Sequence, residues 1–465
     1  MFEFKILKKD KKNKARLAEF NTPHGKLTTP ELAFVATEAE LRAIPKEFMP
    51  KLPVNLIIVN TYHLWTKKIA DKIYHLGHGR DLDGNTVHNY ANFPKPIMSD
   101  SGGFQVFSLG FGKSQGVGKI ANIFPDEDQK VGVEVLGIPA ARSRGLSNPK
   151  RALTGKKLRQ NLLFDTGNPL NISDEGVEFT FNEEKLMLSP EKSMQIQQRI
   201  GADIIFTFDE CTSPLNTYEY TKNALNRTHE WLVRCIKQTR SSQNAGVEVL
   251  GIPAARSRGL SNPKRALTGK KLRQVPHLTN QALFAIVQGG EYEDLRLQSS
   301  KFMAKQNVPG FGIGGSLGMS KEDMHNILDW TIPNLPEEKP RHLLGIGQVK
   351  DIFECIERGV DTFDCVIPTR EARHRVLYTK KGHRNIRKLR SFNEVIEKDC
   401  ECIACSQSVT FVQLAQLFSK KDPRAFFYAT AHNIQFYADL MKNIRTSIEH
   451  NRLSKLKEKY LRYYQ

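Results

Sequence analysis

The chain has 465 residues, 39% hydrophobic and 26% charged, which reads as globular and supplies core for one large domain or two ordinary ones. No apolar run approaches the length needed to cross a bilayer, and the amino-terminal MFEFKILKKDKKNK lacks the apolar segment and cleavage site of a secretory signal, so neither a membrane protein nor an exported one is expected. A formal charge of +19 points to a polyanionic partner such as nucleic acid. That charge is inflated by a duplication: residues 132–160, GVEVLGIPAARSRGLSNPKRALTGKKLRQ, recur unchanged at 246–274, and each copy carries seven basic residues and one acidic. The pair supplies +12 of the +19, leaving a moderately basic remainder. Two identical, widely separated copies are not a stacking repeat; they resemble mobile palindromic elements inserted in frame, and are expected to be tolerated surface loops.

In chain order, short apolar runs end in a polar residue or glycine and are followed by amphipathic stretches, the pattern of buried parallel strands and their crossover helices. The runs are NLIIVN ending at Asn60, PIMSD at Asp100, DIIFTFD at Asp209, ALFAIVQGG with Gln288, GFGIGG at Gly315, HLLGIG at Gly347, and DTFDCV around Asp364. Helices are predicted over 190–200, 218–239, 291–306, 321–330 and 349–358, the first with Ser189 as cap and Pro190 in its first turn. With an eighth strand among the less legible N-terminal residues, the alternation predicts an α/β fold, a (β/α)8 TIM barrel. The barrel is placed at 1–390, interrupted by the copies at 132–160 and 246–274, and a zinc-binding subdomain with C-terminal helices at 391–465. Active sites of such barrels lie at the C-terminal strand ends, so the listed run-ending residues are expected at one mouth, with the second copy at the opposite face.

Three constellations carry chemistry. In MSDSGGFQVFSLG, Asp100 at a strand end is followed by Ser101, Gly102 and Gly103, backbone that a planar ligand can approach closely, with Phe104 available to stack on it. A capped turn gives the same letters. In RGVDTFDCVIPTREAR, Asp364 sits inside an otherwise apolar strand, where a carboxylate needs a function or an arginine partner. The third is Cys400-x-Cys402-x2-Cys405 with His432 27 positions later: three thiolates and an imidazole, the complement of a closed, structural zinc site. The other cysteines, Cys211, Cys235, Cys355 and Cys365, lie singly in apolar stretches, a usage that suits the reducing cytoplasm.

SDSGGFQVFSL, NTYHL at 60–64, FDEC at 208–211, IVQGG at 286–290, GFGIGG and DTFDCVIPTR stand in the order of the signature segments of the bacterial tRNA-guanine transglycosylases. The chain resembles that family over nearly its whole length, apart from the two copies and parts of 110–188. The resemblance implies a barrel with a structural zinc ion in the Cys3His site and an enzyme that exchanges guanine in a tRNA anticodon for a 7-deazaguanine, preQ1 or queuine. It implies Asp364 as nucleophile on C1′ of the target ribose and Asp100 as general acid and base, two carboxylates with different roles as in retaining glycosidases. Ser101, Asp209, Gln288 and Gly315 would hold the base, with Phe104 and Leu344 on its faces. A helix cap is the competing reading of Asp209. Gly345, Gly347, Thr369, Arg370 and Arg373 would contact RNA, a tRNA with a GUN-type anticodon, while the basic run 380–390 is as well read as solvated. A homodimer is expected.

The pocket loop departs from the family: GGSLGMSKED replaces the usual GGLAVGE, no counterpart of the bacterial glutamate is evident, and Gly318 falls near the position that separates preQ1 from queuine users. Cys211 favours preQ1. A non-catalytic partner subunit should lack one of the two aspartates, and both are present; a relative acting on DNA or another tRNA position stays open at this stage.

Overall fold

The computed structural model describes residues 2–76, 86–107, 170–214, 216–244, 281–315 and 317–464. Both duplicated segments, and the expectations attached to them, lie outside these residues. Eight short strands form a closed barrel: Glu31–Val35 (β1), Ile57–Val59 (β2), Ile97–Ser99 (β3), Ile204–Phe206 (β4), Ala282–Val287 (β5), Gly310–Ile313 (β6), Arg341–Leu343 (β7) and Thr362–Cys365 (β8). Each pairs in parallel with its neighbours in sequence, and β8 closes on β1. Seven are the strands the apolar runs predict, and β1 is the expected eighth in the N-terminal region.

The runs are continuous because both faces are buried. Ala33, Ile58, Met98, Ile204, Phe206, Phe284 and Ile286 fill the interior, while Leu32, Phe34, Ile57, Ile97, Ile205 and Leu343 pack outward into the main core. One end of the interior is plugged by an antiparallel sheet, Phe4–Lys9, Arg16–Thr22 and Gly25–Thr29, whose Phe20 and Leu27 join the interior cluster. The plug is tied down by a fully buried pair, with Arg16 Nε donating at 2.8 Å to Oδ1 of Asp361, the residue before β8. The N-terminal strand ends are therefore closed, and the C-terminal ends are left for a site.

Thr61–Thr66 (α1) is a helix not predicted from the sequence, and the five predicted ones are present with small shifts at their ends: Pro190–Ile200 (α2), Tyr218–Asn244 (α3), Glu293–Ala304 (α4), Lys321–Thr331 (α5) and Val349–Glu357 (α6). Ser189 Oγ accepts from Lys192 N, and Gly201 ends α2 in the left-handed region, as cap and stop signals require. After β8 come Ile367–Arg373 (α7), Ile403–Ser406 (α8), Phe411–Ser419 (α9) and Pro423–Glu449 (α10). A second core gathers Ala372, Leu377, Ile386, Leu414 and Phe418 around the cysteines. The helix α10 joins the two cores: Ala425 and Ala429 belong to the second, Ile434, Tyr437, Leu440 and Ile444 to the first. No helix among the described residues is long and apolar enough to cross a membrane.

Candidate active site and metal centre

Asp100 directly follows β3, where its backbone N–H extends the ladder to Val59. Its Oδ2 accepts from Asn60 Nδ2 at 2.6 Å, and its Oδ1 from the N–H groups of Thr61 at 2.8 Å and Gly102 at 3.2 Å. Asn60 also caps α1 through His63 N, so the carboxylate sits against the first turn of that helix. Burial pushes the Asp100 carboxyl up to about 7; the Thr61 N–H opposes the rise and the charge of Asp364 adds to it.

Asp209 lies just beyond β4 and is buried. Its oxygens accept from Gln288 Nε2 at 2.5 Å and Ser101 Oγ at 3.3 Å, while burial raises its carboxyl to about 6 against those bonds. These contacts turn Asp209 into the barrel mouth and dispose of the helix-cap reading. Gln288, after β5, keeps a buried Oε1 with no partner among the described residues. Gly315, after β6, has φ +79°, and a Cβ there would fall 1.9 Å from that oxygen, so only glycine fits.

Asp364 stands in β8 with Oδ1 accepting from Gly345 N at 3.0 Å. His342 Nε2 lies 3.2 Å from the same oxygen. No arginine pairs with Asp364 among the described residues, which removes the buried-salt-bridge alternative. Phe104, 51% exposed, follows β3, and Leu344, packed on the interior cluster, follows β7. Gly347 is pressed on β8, where an added Cβ would meet Cys365 Sγ at 1.9 Å, and its carbonyl accepts from Tyr437 Oη at 2.8 Å. The two glycines assigned to RNA by resemblance thus also support the strand that carries Asp364.

Thr369, Arg370 and Arg373 lie on α7 beyond the same strand end. Thr369 is buried, Arg370 pairs with Glu371 at 3.4 Å, and Arg373 Nη1 is buried without a partner among the described residues. Arg373 lines a groove of about 860 Å³ with Arg42, Phe48, Val366 and Phe427.

Cys400, Cys402, Cys405 and His432 converge as expected. All four are buried, and the sulfurs lie 3.6, 3.5 and 3.5 Å from His432 Nδ1. His432 Nε2 is 2.9 Å from the Tyr378 carbonyl, so it carries the hydrogen and leaves Nδ1 as the donor toward an ion. The group could hold a metal ion.

Sequence reasoning missed three features. His342 was hidden because a lone histidine in an apolar strand reads as core. Asn60 reads as a strand end and Asn60-Thr61 as part of the NTYHL segment, but not as a helix start, though an Asn before a helix is a cap signal. At the closed end of the barrel, Asp203 accepts from His24 Nδ1 and His88 Nε2, both at 2.8 Å, and the two rings stack at 3.4 Å with 13° between planes. In-plane nitrogens of stacked rings point in parallel, one to each carboxylate oxygen, instead of converging on an ion, so this group is a clasp.

The sequence profile described as queuine tRNA-ribosyltransferase matches residues 10–122 and 146–465. A protein of Archaeoglobus fulgidus is 38% identical over 463 residues, 97% of each chain. Queuine tRNA-ribosyltransferases of Herpetosiphon aurantiacus and Enterococcus faecalis are 33% and 32% identical, covering 97% and 99% of this chain and 90% and 96% of their own. With both carboxylates at one barrel mouth and the match running through the whole fold, the chain belongs to the queuine tRNA-ribosyltransferase family, the tRNA-guanine transglycosylases.

Proposed function

We propose that the protein exchanges guanine at the wobble position of a tRNA with a GUN-type anticodon for preQ1, by double displacement through a covalent tRNA-aspartyl ester. The observation that carries this reading is the pairing of two carboxylates in unlike surroundings at one mouth: Asp100, raised to about 7 by burial and by Asp364, and Asp364, held among the described residues through one oxygen. A group near 7 can give a proton to departing guanine and take one from the incoming base, while Asp364 attacks C1′ as the C–N bond breaks. Asp209 accepts from the N–H edge of the purine and the unpartnered Gln288 Oε1 from a further donor; the Gly315 backbone lies beside them, and Phe104 and Leu344 cover the ring. A base lacking those donors leaves the remaining lone pairs of buried Asp209 and Gln288 Oε1 unfilled and is disfavoured.

Gly318 bears on which base enters. Its φ is +88°, and an added Cβ would stand 2.1 Å from Asp323 Cβ, whose carboxylate accepts from Met319 N and Ser320 N at the start of α5. Glycine is required there by the helix cap, so its small size does not argue for the larger queuine, and preQ1 is our assignment. Arg370 and Arg373 on α7 would meet phosphates of the anticodon loop. For the metal, thiolates at about 2.3 Å and an imidazole at about 2.1 Å from a tetrahedral zinc give S···N edges of about 3.6 Å, and the edges here are 3.5 to 3.6 Å. Zinc with four protein ligands has no open position, which makes it structural.

The test is transfer of radiolabelled guanine into GUN-anticodon tRNA with preQ1 as competitor. Label should enter with the wild-type enzyme, be displaced by preQ1, and fail to enter with Asp364→Ala or Asp364→Asn. Incorporation that survives both substitutions removes Asp364 from the reaction.

A further inference from the structure

We propose that His342 is a positioning residue for the nucleophile, an imidazole that pins one oxygen of Asp364 so that the other faces the ribose. The inference rests on the reading of Asp364 as nucleophile given above. His342 is the middle residue of β7 and fully buried, its ring tilted against Phe206 of the barrel interior at 5.2 Å. In the β7–β8 register it stands opposite Thr362. Side chains two apart on a strand share a face, so Thr362 and Asp364 both point at the histidine. Its Nδ1 is 2.9 Å from Thr362 Oγ1 and its Nε2 3.2 Å from Asp364 Oδ1.

The hydrogen on Nε2 follows from the partners. A hydroxyl can give or accept a hydrogen bond, whereas an ionised carboxylate only accepts. Nε2 therefore carries a hydrogen and donates to Asp364, while the Thr362 hydroxyl, able to give or accept, holds Nδ1. With Gly345 N–H on the same Oδ1 at 3.0 Å, this oxygen has two donors, and Oδ2 has none among the described residues. Two donors, one on β7 and one in the turn after it, hold the carboxylate rotamer and leave Oδ2 lone pairs toward the open mouth. When Oδ2 bonds to C1′, the C1′–N bond breaks and its electrons leave with guanine; Oδ1 becomes the ester carbonyl and keeps both donors. When the incoming base attacks C1′, the C1′–Oδ2 pair returns to Asp364, and the same donors stabilise the restored negative charge.

The experiment compares His342→Leu, His342→Gln and Thr362→Val in the guanine-exchange assay, with thermal melting and a denaturing gel for the covalent tRNA adduct. Loss of a hydrogen bond to a charged group should lower kcat of His342→Leu by about 10- to 100-fold, with KM for guanine and tRNA within about threefold of wild type. Glutamine, a neutral donor of similar reach, should restore most of the loss, and Thr362→Val should fall between. A folded His342→Leu enzyme with wild-type kcat, a loss expressed only in KM, or equal losses for leucine and glutamine would each overturn the proposal. Should the leucine variant not fold, the near-isosteric Thr362→Val decides: unchanged kcat there is equally fatal. A wild-type enzyme that forms no adduct and exchanges no guanine overturns the transglycosylase reading itself, and this one with it.

Discussion

Asp100→Asn should change stability with a sign that depends on pH. Folding raises the carboxyl from 3.8 to about 7. About three units at 1.36 kcal/mol each amount to a cost of roughly 4 kcal/mol for keeping Asp100 ionised in the native state. Because the folded pKa lies above the unfolded one, the native chain binds more protons between these values, and stability falls as pH rises through that window. The cost is fully present above about 7 and absent below about 4. Asparagine removes the charge, but its amide group replaces one acceptor oxygen, so either the Asn60 Nδ2 bond or both N–H bonds from Thr61 and Gly102 are lost. A lost buried partner costs about 1–3 kcal/mol at any pH. The variant should therefore be less stable than wild type near pH 4.5 and more stable, by about 1–3 kcal/mol, at pH 8. Denaturant midpoints followed by circular dichroism at the two pH values measure this. In the same samples single-turnover guanine release should fall about 10²- to 10⁴-fold, and in wild type it should decline above pH 7, where the acid is spent. A variant less stable by the same amount at both pH values refutes the argument, because Asp100 would then titrate no differently in the folded and unfolded chains.

Three other outcomes follow from the geometry. Gly315→Ala combines left-handed strain of about 1–2 kcal/mol with displacement of Gln288 from Asp209, so KM for guanine should rise at least about tenfold while tRNA affinity holds; steady-state kinetics with each substrate varied would show it. Stripping the metal with a strong chelator, or Cys402→Ser, should expose amides of 400–419 to hydrogen exchange while β4 and β5 stay protected, because the cysteines and α9 belong to a core of their own. Arg373→Ala should weaken tRNA binding and lower the slope of log K against log salt by about 1, read from filter binding at several salt concentrations.

How much of this was legible follows from how local each signal is. Strands buried on both faces spell themselves as apolar runs, so β2 through β8 are visible, and the residue ending each run lands at the mouth without further information. The first strand is obscured because it opens with Glu31, a carboxylate that makes sense only once Arg445, 414 positions on, is seen donating to it at 2.8 Å. The N-terminal plug is hidden for a related reason: Phe4–Lys9 alternates half-buried and exposed positions, but its letters, FKILKK, do not alternate apolar and polar, and its partners cannot be read from spacing. Asp100, Asp364 and the Cys3His group were legible as unusual residue types in context. The bond from Gln288 to Asp209 spans 79 positions and the His88 to Asp203 bond spans 115, and no periodicity encodes either.

On the roles proposed above, the barrel also accounts for how two chemically identical side chains take opposite parts. Asp100 lies beyond the end of a three-residue strand, where the chain turns inward under α1 and burial dominates. Asp364 lies within its strand, one residue short of the end, and its side chain remains 17% exposed beside donors from β7 and the turn after it. Offsets of a single residue relative to the strand ends thus separate a carboxyl that holds its proton near neutrality from one free to attack. A shift of β8 by one residue against β7 would face Asp364 into the outer core and bring Cys365 to the mouth, since alternate residues face opposite sides. Register, which Gly345, Gly347 and Tyr437 reinforce from outside the strand, is therefore the structural quantity on which the chemistry depends.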